Sequence, residues 1–128
     1  MHWNRSRRLA LVAVVALAIL VSAIILTGDA VARTGPFGLG LDLWLHALAY
    51  AVLEATVLMA IVGSWEPSLP TGSLSIPATL PAVTAYGILI EGVQSLVQYR
   101  HASVADALAN AVGAAIVLVG WALYARLR

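Results

Sequence analysis

The chain has no cysteine, no lysine and a single phenylalanine, and charged residues make up only 10% of its 128 positions. The missing cysteine excludes disulfides, iron–sulfur ligation and thiolate chemistry. The missing lysine leaves seven arginines as the whole basic complement, against six acidic residues. Formal net charge is +1, and the one local basic cluster is the N-terminal "RSRR". That excludes the basic stripe a nucleic-acid partner requires. What the chain has in abundance is apolar: 62% of residues are hydrophobic and mean hydropathy is +0.95. Soluble domains run at about 45–50% apolar. A soluble chain of this length cannot hide that much apolar surface, whereas a lipid bilayer takes it up. The expectation is a single all-α domain over residues 1–128, resident in the cell membrane as a multi-pass protein.

A spanning helix needs about 20 mostly apolar residues. Four segments qualify: residues 9–26, 41–63, 78–98 and 104–125. The connections at 27–40 ("TGDAVARTGPFGLG") and 64–77 ("SWEPSLPTGSLSIP") are rich in Gly, Pro and Ser and read as irregular loops. The third connection, "YRHAS" at 99–103, is short, so spans three and four are expected to be antiparallel neighbours. Arg5, Arg7 and Arg8 precede span one, and Arg126 and Arg128 follow span four. The positive-inside bias then puts both termini in the cytoplasm. A rival reading takes the N-terminus as a secretory signal, with "AVA" at 30–32 as the cleavage site. The apolar run at 9–26 exceeds the usual signal core of about 7–15 residues, so span one is expected to stay.

With that orientation, polar side chains of three spans fall at one depth near the outer face. Asp42 and His46 begin span two, Glu91 and Gln94 sit in the outer third of span three, and Asp106 and Asn110 lie in the first turns of span four. Arg100 and His101 occupy the outer connection. Lipid cannot satisfy such groups, so they must face other helices or water. One polar pocket among spans two, three and four, opening outward, is the expectation, with the apolar span one as scaffold. Several of these residues have plainer readings. Asp42 can cap a helix. Ser103 and Asp106 have capping-box spacing. Asn110 can join helices, and Gly113 and Gly120 can let helices pack closely. Glu54, deep in span two, can bond a neighbour such as Tyr50. His46 and Glu91 sit at no cap, and burying an ionisable group costs about 2.5–3.5 kcal/mol on insertion scales. Their retention on different helices points to use.

These residues resemble a known pattern. "DLWLHALAY" at 42–50 resembles the D-K-x-x-H-x-x-x-[FY] signature of the VanZ-like membrane protein family, with Leu43 where that family usually has Lys. "EGVQSLVQYRHASVADALANAVG" at 91–113 is similar to its second signature, E-x-x-Q-x5-R-x5-D-x3-N-x2-G, through Glu91, Gln94, Arg100, Asp106, Asn110 and Gly113. The resemblance implies work at the cell envelope.

Three functions compete. The first is a protein that binds or modulates a cell-envelope component, a lipid headgroup or surface precursor, at the outer face. Arg100 would hold an anionic group, and Asp42, His46, Glu91, Gln94, Asp106 and Asn110 would complete the site. The second is a small intramembrane hydrolase or transferase acting on a lipid-linked substrate, with His46 as acid/base and Glu91 or Asp106 as partner carboxylate. A metal-bound version on Asp42, His46, Glu91 and Asp106 has no H-E-x-x-H-type spacing behind it, so neither metal nor cofactor is assigned. The third, a transporter subunit, lacks a continuous polar route across the chain.

Overall fold

The computed structural model describes residues 3–25, 33–64, 66–67, 75–97 and 103–127. Among these the chain is all-helical: α1 (Arg5–Ile25), a short 3-10 turn (Pro36–Gly38), α2 (Leu41–Val62), α3 (Thr79–Ser95) and α4 (Val104–Leu127). Local chemistry sets each end. The Asn4 side chain accepts the Arg7 N–H at 2.9 Å and caps α1. Gly63 ends α2 in the left-handed region (φ 90°), its N–H reaching Met59 O at 2.9 Å, which a residue with a Cβ would enter only under strain. The Ser103 hydroxyl accepts the Asp106 N–H at 3.2 Å at the start of α4.

Residues 33–40, read from sequence as irregular loop, are a small folded turn. Thr34 bridges Gly40, Leu41 N–H reaches Arg33 O at 2.8 Å, and Trp44 Nε1 donates to Pro36 O at 3.2 Å. The Leu41 bond uses a backbone donor that the first turn of α2 would otherwise leave empty.

Long-range contacts give the helix directions. Arg8 meets Ala60, Tyr86 meets Ala16, and Gln94 meets Ala23. Thr79 meets Glu54, and His46 meets Asn110. Helices α1 and α3 therefore run one way and α2 and α4 the other, with the start of α1 and the end of α4 at the same end of the bundle. Helix α2 touches all three others and packs most extensively on α4. The main core joins Ile19 and Ala23 of α1, Tyr50 and Leu53 of α2, Val83 and Ile90 of α3, and Ala114 of α4. A second cluster near the terminal end joins Leu58, Ile76 and Trp121.

The surface is inverted relative to a soluble protein. Leu108, Val112, Ile116, Val119 and Leu123 form an exposed stripe down α4, and Val14, Leu17, Val21 and Ile24 one down α1. Meanwhile Glu54, Glu91, Gln94 and Asn110 are buried. An exposed apolar surface this continuous marks a contact with lipid or another protein. Helices α1, α2 and α4 are each long and apolar enough to cross a membrane. Helix α3, expected over 78–98, is shorter: its 17 residues cover about 26 Å at about 1.5 Å per residue. It ends at Ser95 because Leu96 and Val97 turn back, their N–H groups bonding Val93 O and Gln94 O.

Glu54, in the interior of α2, is fully buried. The sequence reading offers it a neighbour such as Tyr50. The structure gives it Thr79 instead, whose hydroxyl donates to Glu54 Oε1, while Oε2 is buried with no hydrogen bond among the described residues. An amide keeps the acceptor Thr79 uses and removes a buried ionisable group. Glu54→Gln is therefore expected to hold thermal stability within about 1 kcal/mol of wild type. Glu54→Ala leaves a cavity, with the Thr79 hydroxyl keeping Ile76 O (2.7 Å) as its acceptor, and is expected to lose about 2–4 kcal/mol. Thermal unfolding in one detergent compares the two.

A candidate polar site where three helices meet

At the end opposite the termini, α2, α3 and α4 each deliver polar groups to one place. His46 comes from the second turn of α2. Its Nδ1 lies 3.0 Å from Asn110 Oδ1 on α4 and 3.9 Å from Glu91 Oε1 on α3. Its Nε2 lies 3.8 Å from Asp106 Oδ2, one turn before Asn110. The site is half-closed: the His46 and Asp106 side chains are each 13% exposed and Glu91 is 7% exposed.

Local helix chemistry aims these groups. The Ser103–Asp106 spacing predicts a capping box, and half of it forms, through the Ser103 hydroxyl. The reciprocal bond does not come from Asp106. Glu91 Oε2 instead accepts the Ser103 N–H at 3.2 Å across the α3–α4 interface. The Asp106 carboxylate, relieved of that bond, turns toward His46. The tautomer with its proton on Nδ1 donates to Asn110 Oδ1 and leaves Nε2, toward Asp106, unprotonated. That bond sets the ring orientation and points Nε2 at Asp106.

Two glycines allow the helices to come this close. A Cβ on Gly113 would overlap the Ala47 backbone, so α4 can sit on α2 beside His46 only with glycine there. A Cβ on Gly87 would lie 2.9 Å from Asn110 Nδ2 and 3.0 Å from the Tyr50 ring. Gly87 escaped the sequence reading. Its signal is its position four residues before Glu91, on the same helix face. Gly120, paired with Gly113 in that reading, is open on all sides.

The sequence-predicted set thus divides. His46, Glu91, Asp106 and Asn110 converge. Asp42 stays in the first turn of α2, where its Oδ1 accepts the Leu43 N–H at 2.9 Å, a position a helix N-terminus favours for an anion. Gln94 is buried against α1, its Nε2 donating to Ala23 O at 3.4 Å. Arg100 and His101 lie outside the described residues. Helix α1 serves as the expected scaffold, accepting on backbone carbonyls from Gln94 and from the Tyr86 hydroxyl (2.6 Å to Ala16 O).

The site can move a proton through His46 or bind a group rich in hydrogen-bonding atoms. It also contains a potential cation site that no linear motif reveals. His46, Glu91 and Asp106 each offer one ligand atom, all within 4.8 Å of one another. Asp42 is not in that group. Metal–ligand bonds of about 2.0–2.2 Å hold ligand atoms about 3.3–3.6 Å apart in a tetrahedral site, so the most distant of these atoms would have to close by about 1 Å.

A helical bundle with a lipid-compatible exterior and a polar cluster at one end belongs to the class of all-α membrane proteins. Comparison with protein-family models, curated proteins and solved structures finds no match to this chain in any of the three.

Proposed function

We propose that the chain is a VanZ-like multi-pass protein of the cell membrane. In this reading all four helices span the bilayer, with both termini cytoplasmic. The polar site at the outer face binds or modulates a cell-envelope component, a lipid headgroup or surface precursor. The observation that carries the reading is the meeting of His46, Glu91, Asp106 and Asn110 from three helices, at the end opposite Arg5, Arg7, Arg8 and Arg126. The two signatures support the family, and the arginine bias supports the orientation. Arg100, between the two halves of the second signature, would meet the anionic part of the ligand.

The test is unbiased identification of lipids and envelope precursors that co-purify with the protein. A species retained by wild type and lost from Glu91→Gln is the expected result. Orientation has its own test: Ala102→Cys, in the connection between α3 and α4, is expected to react with an impermeant thiol reagent from outside intact cells. Labelling only after the cells are opened would sink the outward-facing reading.

One observation favours a second reading, hydrolysis or group transfer on a lipid-linked substrate. In the tautomer that donates from Nδ1 to Asn110, Nε2 is free to take a proton from a substrate or water beside Asp106. Turnover of a co-purifying species in a sealed assay, absent in His46→Ala, separates catalysis from binding.

A further inference from the structure

A second place for a ligand lies at the opposite end of the bundle, away from His46. Between the start of α1 and the end of α2 is a cavity of about 420 Å³, lined by Arg5, Arg8, Val12, Val57, Ala60 and Ile61. Its character is split. Arg5 and Arg8 supply two guanidiniums, with no acidic residue in the lining, and the remaining wall is aliphatic.

Arg8 is held in place. Its Nη1 donates to Ala60 O at 3.0 Å, a free carbonyl in the last turn of α2, where a cation is favoured by the helix dipole. This anchors the guanidinium at the cavity and leaves the rest of its five donors for another acceptor. Its Nε is buried with no hydrogen bond among the described residues. Arg5, one turn earlier on the same helix, is exposed and free to close over a bound anion.

We propose that this cavity binds an anionic phospholipid, its phosphate between Arg5 and Arg8 and the first part of one acyl chain against Val12, Val57 and Ile61. Charge selects the head: two guanidiniums with no counter-charge in the wall suit a phosphate oxyanion. The aliphatic wall selects a lipid over a free phosphate, which would leave that surface uncovered. The volume fits a headgroup with a chain segment, at the lower end of the usual ligand range of about 300–1,000 Å³. In the four-span orientation the cavity opens at the cytoplasmic leaflet, where anionic lipids concentrate. The chemistry of the cavity does not depend on what the His46 site does.

The experiment uses delipidated full-length protein in a neutral detergent. It measures binding of dioleoyl phosphatidylglycerol, dioleoyl phosphatidylcholine and glycerol 3-phosphate by native mass spectrometry and by thermal shift. Wild type is expected to prefer phosphatidylglycerol over phosphatidylcholine by about tenfold or more, the preference weakening with added salt. Arg5→Gln, on an exposed residue outside the core, is expected to erase most of that preference without moving the melting temperature of the lipid-free protein. Ala60→Phe fills the cavity and keeps both arginines, and is expected to lower affinity for the lipid. Equal affinity for the two lipids, or an undiminished preference in Arg5→Gln, overturns the proposal. Glycerol 3-phosphate binding as tightly as the lipid would make this a free-phosphate site and overturn it too. Arg8→Gln also removes the bond to Ala60, so Arg5→Gln carries the decision.

Discussion

Gly113→Ala is expected to separate α4 from α2 and to be the most damaging glycine-to-alanine change among the described residues. The added carbon would coincide with the backbone of Ala47, which cannot rotate away as a side chain would. Overpacking a tight interface costs about 1–3 kcal/mol, and a rigid backbone neighbour puts this case at the upper end. The α2–α4 contact is the most extensive in the bundle, so the whole fold registers the shift. So does the site, because Asp106 and Asn110 lie on the displaced helix and His46 is the residue before Ala47. The control is in the same helix. Gly120→Ala adds the same methyl where nothing lies within 4 Å, and a helix prefers Ala to Gly by about 1 kcal/mol. Thermal unfolding of both variants in one detergent should show a clear loss for the first and none for the second. Equal behaviour would mean that α4 does not sit on α2 as described.

His46→Ala is expected to remove ligand retention, or turnover, while the protein still inserts and folds. Asn110, Glu91 and Asp106 all lie within 4 Å of the imidazole, so its loss removes the links from α2 to α3 and α4 at the site and leaves the Glu91–Ser103 bond between the other two. A hydrogen bond to a charged group contributes about 1.5–3 kcal/mol, which corresponds to a drop in affinity of roughly 10- to 100-fold. The fold should survive. The packing of α2 on its neighbours rests on Tyr50, Leu53 and Leu58, further down the helix, and the His46 side chain is partly exposed. Glu91→Gln should weaken the ligand in the same direction, and it keeps an oxygen for the Ser103 N–H. If both variants vanish from the membrane fraction, the cluster holds helices together and binds nothing. If both fold and keep the ligand, the site lies elsewhere.

The helices and their polar faces were legible because lipid and water impose simple periodicities. Residue spacing said that His46, Glu91, Asp106 and Asn110 point inward, and the short "YRHAS" connection said that Glu91 and Asp106 come from neighbouring helices. Partners were harder to read. Gln94 is three residues from Glu91, about 60° around the helix, and that rotation carries it from α4 to α1. Asp42 precedes His46 by four, yet it sits at N2, where a backbone N–H takes its carboxylate. The bond between Arg8 and Ala60 spans 52 positions, and nothing local to either residue announces it. The division of the capping box between Ser103 and Glu91 was equally hidden, because it depends on where α3 stops.

In the proposed four-span arrangement, the early stop of α3 has a consequence for the bilayer itself. At about 26 Å it falls about 4 Å short of a hydrocarbon layer of about 30 Å. Its companions are 21, 22 and 24 residues long, so the shortfall is local to one side of the bundle. Lipids there must compress or tilt, which draws the headgroup level inward beside the last turn of α3, where Glu91 stands. A dimpled leaflet brings phosphates and water to the depth of Glu91 without a water-filled vestibule in the protein. Acyl-chain length in the host membrane then becomes a setting on the site: thin bilayers fit the short helix, and thick ones must deform around it.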